Sequence, residues 1–239
     1  MIVREERIGG QRLLLGDCLE VMPMLGRFDA VVTDPPYGIN YQSGHATDAL
    51  WAGGRTIAND LDTRARDEFL LLWASTQATP CLVFGSRARP VPSGCRMVLT
   101  WDKGPALGMG ALDLPWKPSS EEIYVIGRGF VGPRDESNVI YCPPVQSMAK
   151  NGRMHPNEKP VALIERLLRK CPQGAVLDPF MGSGTTLVAC QRLGRQGTGI
   201  EIDKDYWEIA CRRVDEATRQ ADLFIATPKP AAVQEGFDL

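Results

Sequence analysis

The sequence predicts an α/β fold, an open and mostly parallel sheet of seven strands with helices between them and one antiparallel strand at an edge. Three observations predict it. Seven short apolar runs, at 12–17, 28–33, 81–85, 97–101, 121–127, 175–178 and 197–203, are bounded by turn residues. The runs at 97–101 and 121–127 have no convincing helix between them, so they pair antiparallel. The stretch 175–203 reads strand, Gly-rich turn, helix, strand, which is the layout of a nucleotide-binding βαβ unit.

Taken in order, Leu13-Leu14-Leu15 is a buried strand ending in Gly16-Asp17, and a short helix over 18–25 leads to the strand at Phe28. Residues 39–59 are rich in Gly, Ser, Ala and Thr, with isolated Tyr41 and Trp51. So long a loop inside a domain is commonly a lid or binding loop, and its place after Tyr37 suits a lid over a substrate. A helix is predicted over 62–77, capped by Asp62, with Phe69, Leu72, Trp73 and Thr76 on its inner face. Phe130 to Met154 is punctuated by Pro and Gly, without clear periodicity. Pro160 opens a helix over 161–170 whose apolar face is Leu163, Ile164, Leu167 and Leu168. The helix after the Gly-rich turn runs to Leu193 and stops at Gly194, and an amphipathic helix spans 206–219. One domain is predicted over 1–220, with a loosely ordered tail over 221–239.

Composition bounds the function. The chain has 239 residues, 23% of them charged, and a net charge of −2, which does not advertise nucleic-acid binding. Basic residues do collect locally: Arg87, Arg89, Arg96 and Lys103 against Asp102 in one stretch, and Arg128, Arg134, Lys150 and Arg153 against Asp135 and Glu136 in another. These are either solvated loops or phosphate contacts. No run approaches the roughly 20 apolar residues of a membrane helix, and the first residues are too charged for a signal peptide. Seven scattered cysteines, none spaced Cys-x-x-Cys, and only His45 and His155 argue against a structural metal and for a reducing interior.

Two motifs carry chemistry. Asp34-Pro35-Pro36-Tyr37-Gly38 follows the strand at 28–33, and successive prolines cannot continue a paired strand. The chain therefore leaves the sheet in a stiff turn with Asp34 and Tyr37 beyond the strand tip, where open α/β sheets bind ligands. This is either a plain strand-ending turn or a grip for a flat group bearing an amine. Gly182-Ser183-Gly184 lets the backbone approach a ligand at a helix N-terminus, with Asp178 before it and Glu201 after it. Leu187 stands where a dinucleotide fingerprint has its third glycine, and no lysine follows to make a P-loop. A nucleoside ligand fits this layout.

Together these residues resemble the S-adenosylmethionine-dependent amino-group DNA methyltransferases. Asp34-Pro35-Pro36-Tyr37 looks like that family's catalytic motif. Asp178-Pro179-Phe180-Met181-Gly182-Ser183-Gly184-Thr185-Thr186 looks like its cofactor motif, and His155-Pro156-Asn157-Glu158-Lys159-Pro160 is similar to the motif preceding it. Gly16-Asp17 and Gly199-Ile200-Glu201-Ile202-Asp203 resemble further cofactor motifs. With the catalytic motif first, the order matches the family's beta group, a circular permutation.

The resemblance implies a doubly wound, mostly parallel seven-stranded sheet, the Rossmann-like fold of class I methyltransferases in permuted order. It implies S-adenosylmethionine as methyl donor and double-stranded DNA as partner. Glu201 would take the ribose hydroxyls, Asp17 and Ile202 the adenine, and 180–186 the methionyl part, with Lys159 and Asp203 nearby. Ile202 reads equally as core and Asp203 as the cap of the next helix. Asp34 and the Pro35 carbonyl would hold the amine of a flipped base, and Tyr37 would stack on it. Asp at the first motif position resembles adenine 6-amino enzymes, whereas Ser is commoner in cytosine 4-amino enzymes. The recognition insert at 130–154 is short for the family, which fits a short target, relaxed specificity or a homodimer. RNA as substrate, and a non-catalytic subunit on the same fold, are the competing readings.

Overall fold

The computed structural model describes residues 1–38, 61–105, 115–145 and 158–224, with side chains as far as 220. β1 (Arg4–Ile8) and β2 (Gln11–Leu15) form a hairpin. Gly9, at φ 57°, makes its turn in the left-handed region that glycine enters without strain. Asp17 then caps α1 (Cys18–Val21), its carboxylate accepting from the Leu19 amide at 2.8 Å. The helix predicted over 18–25 tightens after Val21 into a 3₁₀ turn over Met22–Met24, where Pro23 has no amide to continue an α-helix. β3 (Ala30–Thr33) is buried throughout.

α2 (Arg64–Thr76) starts one residue after Thr63, with the Asp62 carboxylate accepting from the Arg64 amide at 2.9 Å. It buries Phe69, Leu70 and Trp73 together with Arg66, while Thr76, expected on the inner face, is exposed. β4 (Cys81–Gly85) is wholly buried. β5 (Cys95–Asp102) and β6 (Ser120–Ile126) pair antiparallel, as the missing helix between them requires. β7 (Val139–Tyr141) adds parallel to β5. α3 (Val161–Leu168) buries its four predicted apolar residues. β8 (Val176–Asp178), α4 (Thr185–Arg192) and β9 (Gly197–Glu201) complete the βαβ unit, and α5 (Lys204–Phe224) closes the described chain.

The sheet has nine strands among the described residues, in the order β1-β2-β9-β8-β3-β4-β6-β5-β7. β2, β9, β8, β3 and β4 run parallel. Two strands exceed the seven predicted. β1 is Arg-Glu-Glu-Arg-Ile, without an apolar alternation, and β7 is too short to show a period. The antiparallel strand β6 lies inside the sheet, between β4 and β5, and the antiparallel strand at an edge is β1. α5 also overruns the predicted boundary at 220, continuing to Phe224. The loop at 39–59, residues 146–154 of the insert, His155-Pro156-Asn157 and the tail from 225 lie outside the described residues.

Alternate strand residues enter opposite layers. Val31 and Val83 pack with Phe69 and Trp73 of α2, whereas Ala30, Val32, Leu82 and Phe84 pack with Leu163, Leu167 and Leu168 of α3. Leu13 and Leu15 meet Trp207, Ala210 and Val214 of α5. Helices on both faces of a largely parallel sheet make the doubly wound fold and leave the carboxyl strand ends free.

Candidate active site

Thr33, at the end of β3, donates its hydroxyl to Asp178 Oδ1 at 2.7 Å, and so ties the tips of β3 and β8 together. The same oxygen accepts from the Phe180 amide at 3.2 Å. Burial lifts the Asp178 carboxyl to about 6, against the pull of the Thr186 and Thr33 hydroxyls and the Phe180 amide. The chain then turns through Gly182, at φ 51°, and Gly184, at φ 81°, into α4. A Cβ on Gly184 would stand 2.9 Å from Ala210 Cβ, so α5 packs against bare backbone there. A Cβ on Gly182 would meet nothing within 4 Å, because that turn faces a cavity.

Glu201 braces the turn. Its Oε2 accepts from the Gly182 amide and its Oε1 from the Asp203 amide, each at 2.8 Å. Burial pushes its carboxyl up to about 7, and the two amides only partly offset this. Asp203 accepts from the Asp205 amide at 2.8 Å and the Tyr206 amide at 3.1 Å, so it caps α5. Ile202 is not core: it is 47% exposed at the cavity wall. Arg213 of α5 donates to the Ser183 hydroxyl and carbonyl, both at 2.7 Å, and to the Thr185 hydroxyl at 3.2 Å, and it pairs with Glu158.

The catalytic-type turn is held as firmly. Tyr37 donates its hydroxyl to Asp34 Oδ1 at 2.7 Å, and Lys159 Nζ lies 2.6 Å from Asp34 Oδ2. Glu121 of β6 stands behind them, 3.3 Å from both the Lys159 ammonium and the Tyr37 hydroxyl, and it also pairs with Lys103. Burial raises the Asp34 carboxyl, Lys159 pulls it back, and the Glu121 charge adds to the rise. Burial also acts to raise Glu121, but Lys159 and Lys103 outweigh it and hold that carboxyl below its ordinary range. The Tyr37 phenol is lifted far up by burial and by both carboxylates, so it stays a donor.

Both turns border one cavity of about 460 Å³ at the carboxyl ends of β2, β9, β8 and β3. Asp34, Pro35, Pro36 and Tyr37 line it, as do Asp17, Asp178, Pro179, Phe180, Gly182, Ser183, Thr185, Glu201, Ile202 and Asp203. Gly184 is outside the lining, packed under α5. Lys159 lines the cavity too, but beside Asp34 rather than beside the Gly-rich turn. Thr33, Lys103, Glu121 and Arg213 were not legible as site residues, since each acts on a partner distant in sequence. The one local signal was Glu121-Glu122 at the start of a strand, where one carboxylate must face each side of the sheet.

Residues 100–212 match the model of a protein family described as DNA methylase. Over 81 residues the chain is 47% identical to the type II methyltransferase M.HpaI of Haemophilus parainfluenzae, which covers 33% of this chain and 24% of that protein. The type II methyltransferase M.ScaI of Streptomyces caespitosus is 40% identical over 88 residues, 34% of this chain and 29% of that protein. The chain thus matches less than a third of either relative's length. A putative methylase of Escherichia coli K12, YubD, is 28% identical over 229 residues, spanning 87% of this chain and 92% of that one. Among solved structures, the M1.HpyAVI–SAM complex aligns with a TM-score of 0.61 at 21% identity, over 85% of this chain and 99% of the other. The cytosine-N4-specific PvuII DNA methyltransferase aligns at 0.64 and 13% identity, over 93% and 95%. At such identities the shared property is the fold. Over residues 100–212, then, the chain is similar to the DNA methylase family, and its fold is that of solved DNA methyltransferases.

Proposed function

We propose that the protein transfers a methyl group from S-adenosylmethionine to an exocyclic amine of a base in double-stranded DNA, the 6-amino group of adenine. One observation carries this reading. A single cavity holds Asp34 and Tyr37 at the tip of β3, and the Gly182 turn with Glu201 at the tips of β8 and β9. β3 and β9 are two strands apart, which is about 10 Å at ordinary interstrand spacing. That span suits a methyl donor whose nucleoside end lies at Glu201 and whose reactive end faces Asp34.

The residues present fit this cofactor. Open space over Gly182 leaves its backbone bare to the cavity, Glu201 presents a carboxylate to ribose hydroxyls, and exposed Ile202 offers an apolar face to a purine. When bound, the cofactor supplies an electrophilic sulfonium methyl. The protein's part is to make a poor nucleophile usable. An aromatic amine's lone pair is delocalised into its ring. Asp34 and the Pro35 carbonyl, accepting from the amine, favour a tetrahedral nitrogen with its lone pair free. The hydroxyl of Tyr37, tethered to Asp34, sets the plane of a ring on which a flipped base can stack. Positioning and electrostatics carry the rate, and no covalent intermediate on the protein is needed. The Asp at position 34 supports adenine over cytosine.

Asp34→Ala is expected to abolish methyl transfer in a tritiated-methyl assay on unmethylated genomic DNA, while cofactor affinity by calorimetry stays near that of the parent. Retained turnover in that variant would overturn the mechanism. Sequencing the methylated DNA for modified bases reads the base and target together, and 4-methylcytosine there would replace adenine by cytosine.

A further inference from the structure

Lys159 was grouped by its motif with the cofactor residues, yet its side chain serves the other half of the site. It directly follows Glu158, and the two neighbours diverge. Glu158 pairs with Arg213, which holds Ser183 and Thr185 of the Gly-rich turn. The Lys159 ammonium instead lies 2.6 Å from Asp34 Oδ2, with a side chain only 5% exposed. Pro160, extended at φ −62° and ψ 132°, caps α3 and fixes the backbone from which Lys159 departs. The ammonium also lies 5.1 Å from the Phe84 ring centroid and 5.4 Å from that of Tyr37. Behind it stands Glu121, which is held in turn by Lys103 and does not line the cavity.

Resting on the function proposed above, we infer that Lys159 is a positioning residue for the reaction: its ammonium, anchored by Glu121, supplies the counter-charge to the Asp34 carboxylate and fixes the oxygens that receive the target amine. A buried carboxylate without an opposite charge takes up a proton instead. Protonated, Asp34 would offer the amine a donor on one of its two oxygens and lose its charge. Among the described residues Lys159 is the cation in contact with Asp34. The other titratable groups facing Asp34 are Tyr37 on its own turn, Glu121 from β6 and Asp178 from β8, and Lys103 acts through Glu121. Apart from the Lys159 ammonium, every one of these that touches or faces Asp34 directly is an acid or a phenol.

Removing the ammonium in Lys159→Met lets burial and Glu121 act unopposed, so Asp34 protonates at higher pH. The acid limb of the kcat/KM profile should move up by about one to three pH units. Lys159→Arg should restore part of the shift, and cofactor affinity should stay unchanged. Glu121→Gln removes a charge that opposes Asp34 ionisation, so its limb should move down. A limb that stays put in Lys159→Met, a loss of cofactor affinity in its place, or a rise in both variants alike overturns the inference. A readout independent of activity is the carbon-13 titration of carboxyl-labelled aspartate in the protein without DNA or cofactor, with Asp34→Asn assigning the signal. Equal Asp34 titration in parent and Lys159→Met overturns the inference whatever the activity. A raised titration alongside a parent protein that methylates no DNA sinks the proposed function and leaves the pairing standing.

Discussion

Glu201 braces the Gly182 turn and, under the proposed function, would also take the ribose hydroxyls of the cofactor. Burial holds its carboxyl at about 7, so near neutrality a large fraction is protonated. Ribose hydroxyls donating to both oxygens favour the ionised carboxylate, so on the proposed function cofactor binding on the acid side of that value should release a proton. S-adenosylmethionine affinity is therefore expected to weaken between about pH 8 and about pH 6, with proton release seen by calorimetry in buffers of different ionisation enthalpy. Flat affinity without proton exchange would refute it. At this scale the sequence was legible where a residue type has few uses: a carboxylate before two prolines, a glycine pair before a helix. It was silent on Glu121, which beside Glu122 looks like ordinary charged surface, and on Arg213, whose partners are 28 to 55 positions away.

Elements are set by their ends as much as by their faces. The apolar stripe of α3 was plain in the sequence, but its C-terminal anchor was not. Arg195, 5% exposed in the loop before β9, donates to the carbonyls of Leu168 at 2.9 Å and Pro172 at 2.6 Å. The Leu168 carbonyl ends α3 and also accepts from the Cys171 amide at 3.1 Å, whereas Pro172 lies in the loop beyond the helix. Arg195→Met should therefore destabilise the fold by about 3 kcal/mol in urea titration, since it removes a buried guanidinium's charge-assisted bonds to both carbonyls and leaves that of Pro172 without this donor. A loss below about 1 kcal/mol would mean that water replaces the guanidinium. β1 was missed because its stability is borrowed. It pairs along all five of its residues with β2, and the Arg4 guanidinium lies 4.7 Å from the ring of Trp207 on α5, so charged residues need no period of their own. The β5–β6 pair was recognised as antiparallel and placed at an edge, but the antiparallel strand β6 is internal because it pairs with β4 on one side and β5 on the other, and no local pattern in the sequence shows which of the two neighbours β4.

For the whole molecule, the free-energy consequence of the two lifted carboxyls depends on pH. Asp178 and Glu201 titrate near 6 and 7 when folded, against ordinary values of 3.8 and 4.5. The folded state keeps protons that the unfolded chain has already lost, so their stabilising contribution is full below the ordinary values and vanishes as pH rises to about 7. Each can cost up to about 3 kcal/mol across that window. The cofactor-free protein should thus show a higher urea midpoint at about pH 5 than at about pH 7.5, and the reverse order would refute the burial argument. The adjacency of β3 and β8 has a further consequence, in the history of the chain rather than its equilibrium. Val31 sits beside Leu177, so the flank of β3 that β8 covers has no partner strand until well over a hundred further residues are made. The Asp34 turn is thus synthesised long before the Gly182 turn, and β9, which lies between β8 and β2, is made later still. Joining strands so far apart in sequence closes a long loop, so the cavity between their tips is completed only by contacts of high sequence separation.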